Sequence, residues 1–215
     1  MKKILFALFF YSTVSAQIPY AHEESRHKVV LENEYVRLLE GHVPFQDTTL
    51  AHIHASNAVV VFLSKSTFGI QNVGDKPVVT KVNPGDVVYR AYGDKPVTHL
   101  VWDQDTSAFD FMVVDLIKQH PSNDTCSILS KEGVDLQWQT KLVRTYKLTL
   151  AKGKFRKLPK SNCAYLLIRI SGAKTRARSA SRSATSDFRF FPPLSEVEIK
   201  GINNDNTMCI LLEFK

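Results

Sequence analysis

Apolar residues along this chain recur in short runs or alternate with polar ones, and the three-to-four-residue spacing of an amphipathic helix is almost absent. The runs are rich in Val, Ile, Phe and Tyr, which suit a pleated, half-buried surface. They predict strands over Val29–Glu32, Tyr35–Val43, Thr49–His54, Ala58–Ser64, Phe68–Asn72, Val78–Val82, Asp86–Ala91, Val97–Trp102 and Asp110–Ile117. Turn chemistry punctuates them at Asn33-Glu34, Pro44, Val73-Gly74-Asp75, Asn83-Pro84-Gly85 and Gly93-Asp94. So many short strands in about ninety residues argue for an all-β, antiparallel barrel or jelly roll.

His120 to Lys131 is a polar break with Pro121, Ser122, Asn123 and Asp124. It divides a first unit, residues 29–118, from a second, residues 132–215, with 119–131 as linker. Past the break, strands are predicted over Lys141–Ala151, Ala164–Ser171, Phe188–Phe191, Glu196–Lys200 and Met208–Phe214. Gly172 to Ser186, rich in Ser, Ala and Arg, reads as a long exposed loop. The two units share length and rhythm, which suggests a weak internal repeat of pattern rather than of residues.

Residues 1–16 stand apart. Lys2 and Lys3 precede an apolar run, Ile4 to Tyr11, and Val14-Ser15-Ala16 offers a small-residue cleavage site. This is the pattern of a secretory signal peptide, and the run is too short to span a bilayer. The expectation is an exported protein, periplasmic or extracellular, without stable membrane insertion after cleavage. Loss of the leader lowers the formal charge from +7 to +5. The late basic residues, Lys152 to Lys160 and Lys174 to Arg182, have only Phe155 among them as a stacking ring, so they read as solvated loops and not as a nucleic-acid surface. Cys126, Cys163 and Cys209 match no metal or redox spacing. A Cys163–Cys209 bridge and buried thiols are both open readings.

Three of the seven histidines carry the candidate chemistry. His52 and His54, at i and i+2 on one strand, point to the same face, and His99 lies on a later strand. Imidazoles inside a small barrel are costly unless something uses them. Three such nitrogens suit a divalent transition metal (Fe, Mn, Zn, Cu or Ni) and leave positions open for a ligand. The other histidines read blandly: His22 and His27 as solvent-facing, His42 as a surface pair with Glu40, His120 as the start of the linker.

The stretches Pro44 to His54, Val59 to Leu63, Pro84 to Tyr89 and Val97-Thr98-His99 resemble the cupin superfamily, whose pattern is G-x5-H-x-H-x3,4-E-x6-G followed by G-x5-P-x-G-x2-H-x3-N. The likeness covers Val29 to Ile117 and implies a jelly-roll barrel, with the second unit a degenerate cupin-like β domain of a bicupin. Gln46 stands at the first glycine, Ala58 or Val59 at the usual glutamate, and Asp103 at the asparagine. Three extra residues separate Gly85 from His99. The resemblance therefore implies a three-histidine metal site without the carboxylate ligand. Asn57 and Asp103 are candidates to orient the imidazoles, and Tyr89, Arg90 and Tyr92 are candidates for the barrel mouth, with Arg90 receiving a substrate carboxylate.

Two classes of function follow. One is a metal-dependent small-molecule oxygenase. The other is a protein without catalysis, either a cupin that binds a sugar or other small ligand, or a scaffold that works through its late basic loop. Homodimers are common in the family. Fold alone does not decide among these.

Overall fold

The computed structural model describes residues 17–119, 126, 128–129, 132–151, 154–170, 188–200 and 207–215. The leader, His120 and the Gly172–Ser186 loop lie outside them. The strands of the first unit are β1 (His27–Glu32), β2 (Val36–Val43), β3 (His52–His54), β4 (Asn57–Phe62), β5 (Ser66–Asn72), β6 (Val78–Val82), β7 (Val87–Arg90), β8 (Val97–Asp103) and β9 (Phe109–Leu116). Those of the second are β10 (Val134–Gln139), β11 (Val143–Leu150), β12 (Phe155–Leu158), β13 (Ala164–Ile170), β14 (Phe188–Phe191), β15 (Val197–Lys200) and β16 (Thr207–Phe214). β10 and β12 are additions to the sequence reading. A 3₁₀ turn, Ala21–Glu23, precedes β1.

In the first unit, an antiparallel sheet ordered β1-β2-β9-β4-β7 faces a sheet ordered β3-β8-β5-β6. In the second, β10-β11-β16-β13-β14 faces the pair β12-β15. The two five-stranded sheets also pack on each other. Val59, Val61, Met112 and Val114 meet Leu166, Ile168, Ile210 and Leu212 in one core. That is why β4, β9, β13 and β16 read as nearly unbroken apolar runs: alternate residues fill a barrel on one side and the shared core on the other. Tyr89 follows this rule. It points into the shared core, with its ring 6.0 Å from Trp138, and not to the barrel mouth expected of it.

The repeat goes deeper than pattern. In the first unit, Asn33 Oδ1 accepts from the Val36 N–H, Arg37 pairs across to Asp115, and Arg37 Nε donates to Glu32 at 3.0 Å. In the second, Thr140 Oγ1 accepts from the Val143 N–H, Arg144 pairs across to Glu213, and Arg144 Nε donates to Gln139 at 3.1 Å. Each opening hairpin has its register shift at the same place, between Val29 and Leu31 and between Leu136 and Trp138.

The shared register exposes how the two barrels differ. Leu39, Ala58, Val60 and Val113 stand where the second unit has Tyr146, Tyr165, Leu167 and Leu211. The larger set fills its barrel, and the hydroxyls of Tyr146 and Tyr165 donate to the buried Glu213 at 3.0 and 3.1 Å. Burial raises the pKa of both tyrosines, Tyr146 to about 12. The smaller set leaves the first barrel hollow.

The expected Cys163–Cys209 bridge is corrected, and the buried reading of Cys209 holds. The bridge joins Cys126 to Cys163, and Cys209 lies buried inside the second barrel. Cys126 and Leu129, from the segment read as linker, are both buried against the second unit. Geometry gives the reason: β16 carries Cys209 to the middle of the sheet, beside Leu148 and Arg169, whereas Cys163 precedes β13 at its end. The bridge closes a separation of 37 residues. A Cys126→Ser/Cys163→Ser variant is expected to lose about 2–4 kcal/mol of stability in denaturant titration; an unchanged midpoint would show that the bridge adds nothing.

Candidate metal centre

The left-handed turn at Gln46, with φ of 60°, leads the chain into β3. A glycine would adopt this conformation freely, which explains the residue type at that place in the pattern. Asp103 braces the same loop: its carboxylate accepts from the N–H groups of Gln46 and Asp105 at 3.3 and 3.2 Å, at the end of β8 away from His99. Asn57 accepts from the Gly93 N–H at 2.9 Å and so holds the β7–β8 loop. In these positions Asp103 and Asn57 support loops; their recorded hydrogen bonds do not go to an imidazole.

β3 pairs with β8 so that His52 stands opposite His99, with His54 two residues on and facing the same way. All three are buried. The His99 ring centroid lies 4.7 Å from His52 and 4.8 Å from His54, and Nε2 of His99 is 3.1 Å from Nε2 of His52. A fourth histidine joins them. His27, expected in solvent, is 6% exposed, with its ring 4.8 Å from His52. His27, His52 and His54 each offer a ring nitrogen, all within 4.8 Å of one another. His27 opens β1 opposite Gly41, where a Cβ would overlap the Phe111 ring, so the glycine lets that ring lie edge-on to His27, 5.5 Å away.

Glu24 fixes His27. Its carboxylate accepts from His27 Nδ1 at 2.9 Å, from Arg26 N at 2.8 Å and from Leu50 N at 3.2 Å. Burial alone would raise its pKa, but the bonds from His27 and these backbone groups prevail and hold it at about 2. An ionised acceptor keeps a proton on Nδ1 and so leaves Nε2 as the ring nitrogen that a metal could use. His52 is fixed likewise, its Nδ1–H donating to the Leu50 carbonyl at 2.8 Å. Sequence reasoning missed His27 and Glu24 because their strand shows no clean alternation. The one local signal was a Glu-x-x-His spacing at its start.

Burial is the first cause that keeps the rings neutral, followed by their neighbours: the pKa falls to about 4 for His52, about 2 for His54 and about 3 for His99. Neutral His52 with its proton on Nδ1 turns a bare lone pair toward His99. His99 then either donates from Nε2 and leaves Nδ1 bare, or presents a second lone pair. Nδ1 of His99 and Nδ1 of His54 are both buried without a partner. Such orphaned nitrogens are costly in protein alone, and a cation satisfies the lone pairs among them. The residues fit a metal.

The cluster opens onto a cavity of about 70 Å³ lined by Phe62, Phe68, Phe109 and Phe111 and rimmed by Arg90 and Tyr92. The Tyr92 ring lies tilted against His54 at 5.2 Å, and burial raises its pKa. Outside the cluster, His42 pairs with Asp110 at 2.6 Å, its cross-strand neighbour, instead of with Glu40. His22 accepts from Arg37 at 3.0 Å.

No family model and no curated protein matches the chain. Solved structures do. A cupin 2 conserved barrel domain protein from Leptotrichia buccalis is 9% identical with a TM-score of 0.51, covering 88% of each chain. The fold is the cupin fold. Protein YhaK from Escherichia coli is 12% identical with a TM-score of 0.57, covering 93% of this chain and 99% of that one. Salicylate 1,2-dioxygenase from Pseudaminobacter salicylatoxidans is 8% identical with a TM-score of 0.56, covering 84% of this chain and 71% of that one. Each cupin-fold likeness extends over both units.

The depressed histidine values set an acid limit. A histidine whose folded pKa lies below the unfolded 6.5 loses stability as pH falls below 6.5, because the unfolded chain takes up the proton first. Each of the three contributes up to about 1.4 kcal/mol per pH unit. Metal-free protein is expected to lose stability steeply between pH 6.5 and about 4 in denaturant titrations. A flat profile there would mean that the rings are not buried neutral.

Proposed function

We propose that this chain is an exported, metal-binding protein of the cupin fold that takes a small organic molecule at a centre formed by His52, His54 and His99 together with His27. The observation that carries it is the packing of buried imidazoles, His52 to His99 at 3.1 Å, with Nδ1 of His54 and of His99 left without a partner. A divalent transition metal (Fe, Mn, Zn, Cu or Ni) fits this all-nitrogen set. When bound, it supplies Lewis acidity and, for a redox metal, activation of dioxygen.

The chain's own residues prepare the site. Glu24 and the Leu50 carbonyl hold the protons of His27 and His52 at Nδ1, so neither ring can turn its donor inward. The phenylalanine wall gives the cavity an apolar lining, and Tyr92 lies beside His54 at the rim. The oxygenase reading draws on the fold shared with salicylate 1,2-dioxygenase. A site without a charged ligand keeps the metal's full positive charge, which favours an anionic or enolisable partner. Export is supported by the leader pattern and by a disulfide that suits an oxidising compartment.

Elemental analysis of protein purified without a histidine tag tests the reading. Wild type is expected to hold near-stoichiometric metal and His52→Ala/His54→Ala to lose it; only trace metal in wild type overturns the proposal. Glu24→Gln should weaken metal binding about 10–100-fold in chelator competition, because a ligand's orienting carboxylate contributes on that scale. Wild-type affinity in that variant would remove Glu24 from the site.

A further inference from the structure

The two barrels share one row of residues at the end near His54, and the row has been rebuilt in the first. Across the second sheet it runs Gln139, Arg144, Glu213, Tyr165, Phe191. Across the first it runs Glu32, Arg37, Asp115, Ala58, Arg90. The opening Arg–carboxylate pair is kept. The tyrosine that caps the carboxylate has become alanine, and the closing phenylalanine has become arginine. In the next row, Leu211 and Leu167 of the filled barrel are Val113 and Val60 of the hollow one, and both valines line the cavity.

Arg90 is the exposed end of β7 and borders the cavity from the solvent side. Arg90 makes no hydrogen bond or ion pair with any described residue, and no carboxylate lines the cavity. Asp115 opens instead into a separate space beside Arg37, on another side of His54. The Arg90 charge is close enough to act on both Tyr92 and His99. Every other wall of the cavity is apolar or neutral, Thr80 and Tyr92 supplying its hydroxyls. A lone guanidinium above an apolar hollow recognises a carboxylate on a compact hydrocarbon body.

We infer that the ligand of this cavity is a small organic monoacid, its hydrocarbon part among Phe62, Phe68, Phe109 and Phe111 and its carboxylate between Arg90 and the histidines. The inference rests on the small-molecule reading of the site and names its chemical class. The cavity of about 70 Å³, lined mostly by apolar side chains, suits a compact hydrocarbon body better than a ring of hydroxyls.

The test is calorimetric titration with propionate, isobutyrate, isovalerate and benzoate, each against its own amide, a neutral near-isostere. Titrations use protein as purified and after chelation, with metal content measured on the same samples. At least one acid is expected to bind tenfold or more tightly than its amide. Arg90→Gln should abolish that preference and leave the amide's affinity and the metal content unchanged. Val113→Leu, which restores the filled barrel's residue, should weaken acid and amide alike. Equal affinities within every pair, no binding by any member, or a preference that survives Arg90→Gln would each overturn the inference. Preference in the chelated protein upholds the role of Arg90 whatever its metal content. Trace metal in the sample as purified refutes only the metal centre.

Discussion

Everything distinctive in this protein depends on four imidazoles packed inside a barrel, three of them held neutral by burial. His52 and His99 meet across one strand pair, His54 follows two residues on, and His27 reaches them from the opposite sheet. Burial strips His52, His54 and His99 of their charge, and Glu24 and the Leu50 carbonyl hold Nδ1 of His27 and of His52. The arrangement leaves more lone pairs than the protein has donors to meet. A cation held among these rings could relieve that deficit.

The second unit explains how the first can afford a hollow. It repeats strand order, register, hairpin turn and register shift, yet its interior is filled by Tyr146, Tyr165, Leu167 and Leu211, with Glu213 satisfied by Arg144 and both tyrosines. No histidine follows His120 in the sequence, so the second unit offers no imidazole. Its outer face shares a dry core with the first unit through Leu166, Ile168, Ile210 and Leu212. The filled barrel is therefore a buttress for β4 and β9, the two strands that carry one wall of the cavity.

Much of this was legible in sequence because β structure writes itself in alternation. Strand positions in the first unit fell within a few residues of those observed, and the H-x-H pair announced a shared face. What was not legible depended on tertiary placement. Tyr89 and Arg90 are neighbours, and only the packing of a second sheet tells which of them faces the barrel. β10 has an alternating Val134, Leu136 and Trp138, but it follows the polar break and was passed over with it. His27 lay in a polar N-terminal stretch whose fold-back onto β2 has no local signature. The cysteine pairing turned on which residue ends a strand and which sits in the middle of one.

X-ray absorption at the metal edge, on untagged protein as purified, tests the central claim most directly. The account predicts a divalent transition metal whose inner shell shows imidazole nitrogen scattering, with that signature lost when His52 is replaced. An edge with sulfur or purely oxygen neighbours, or no metal edge above background, would contradict it.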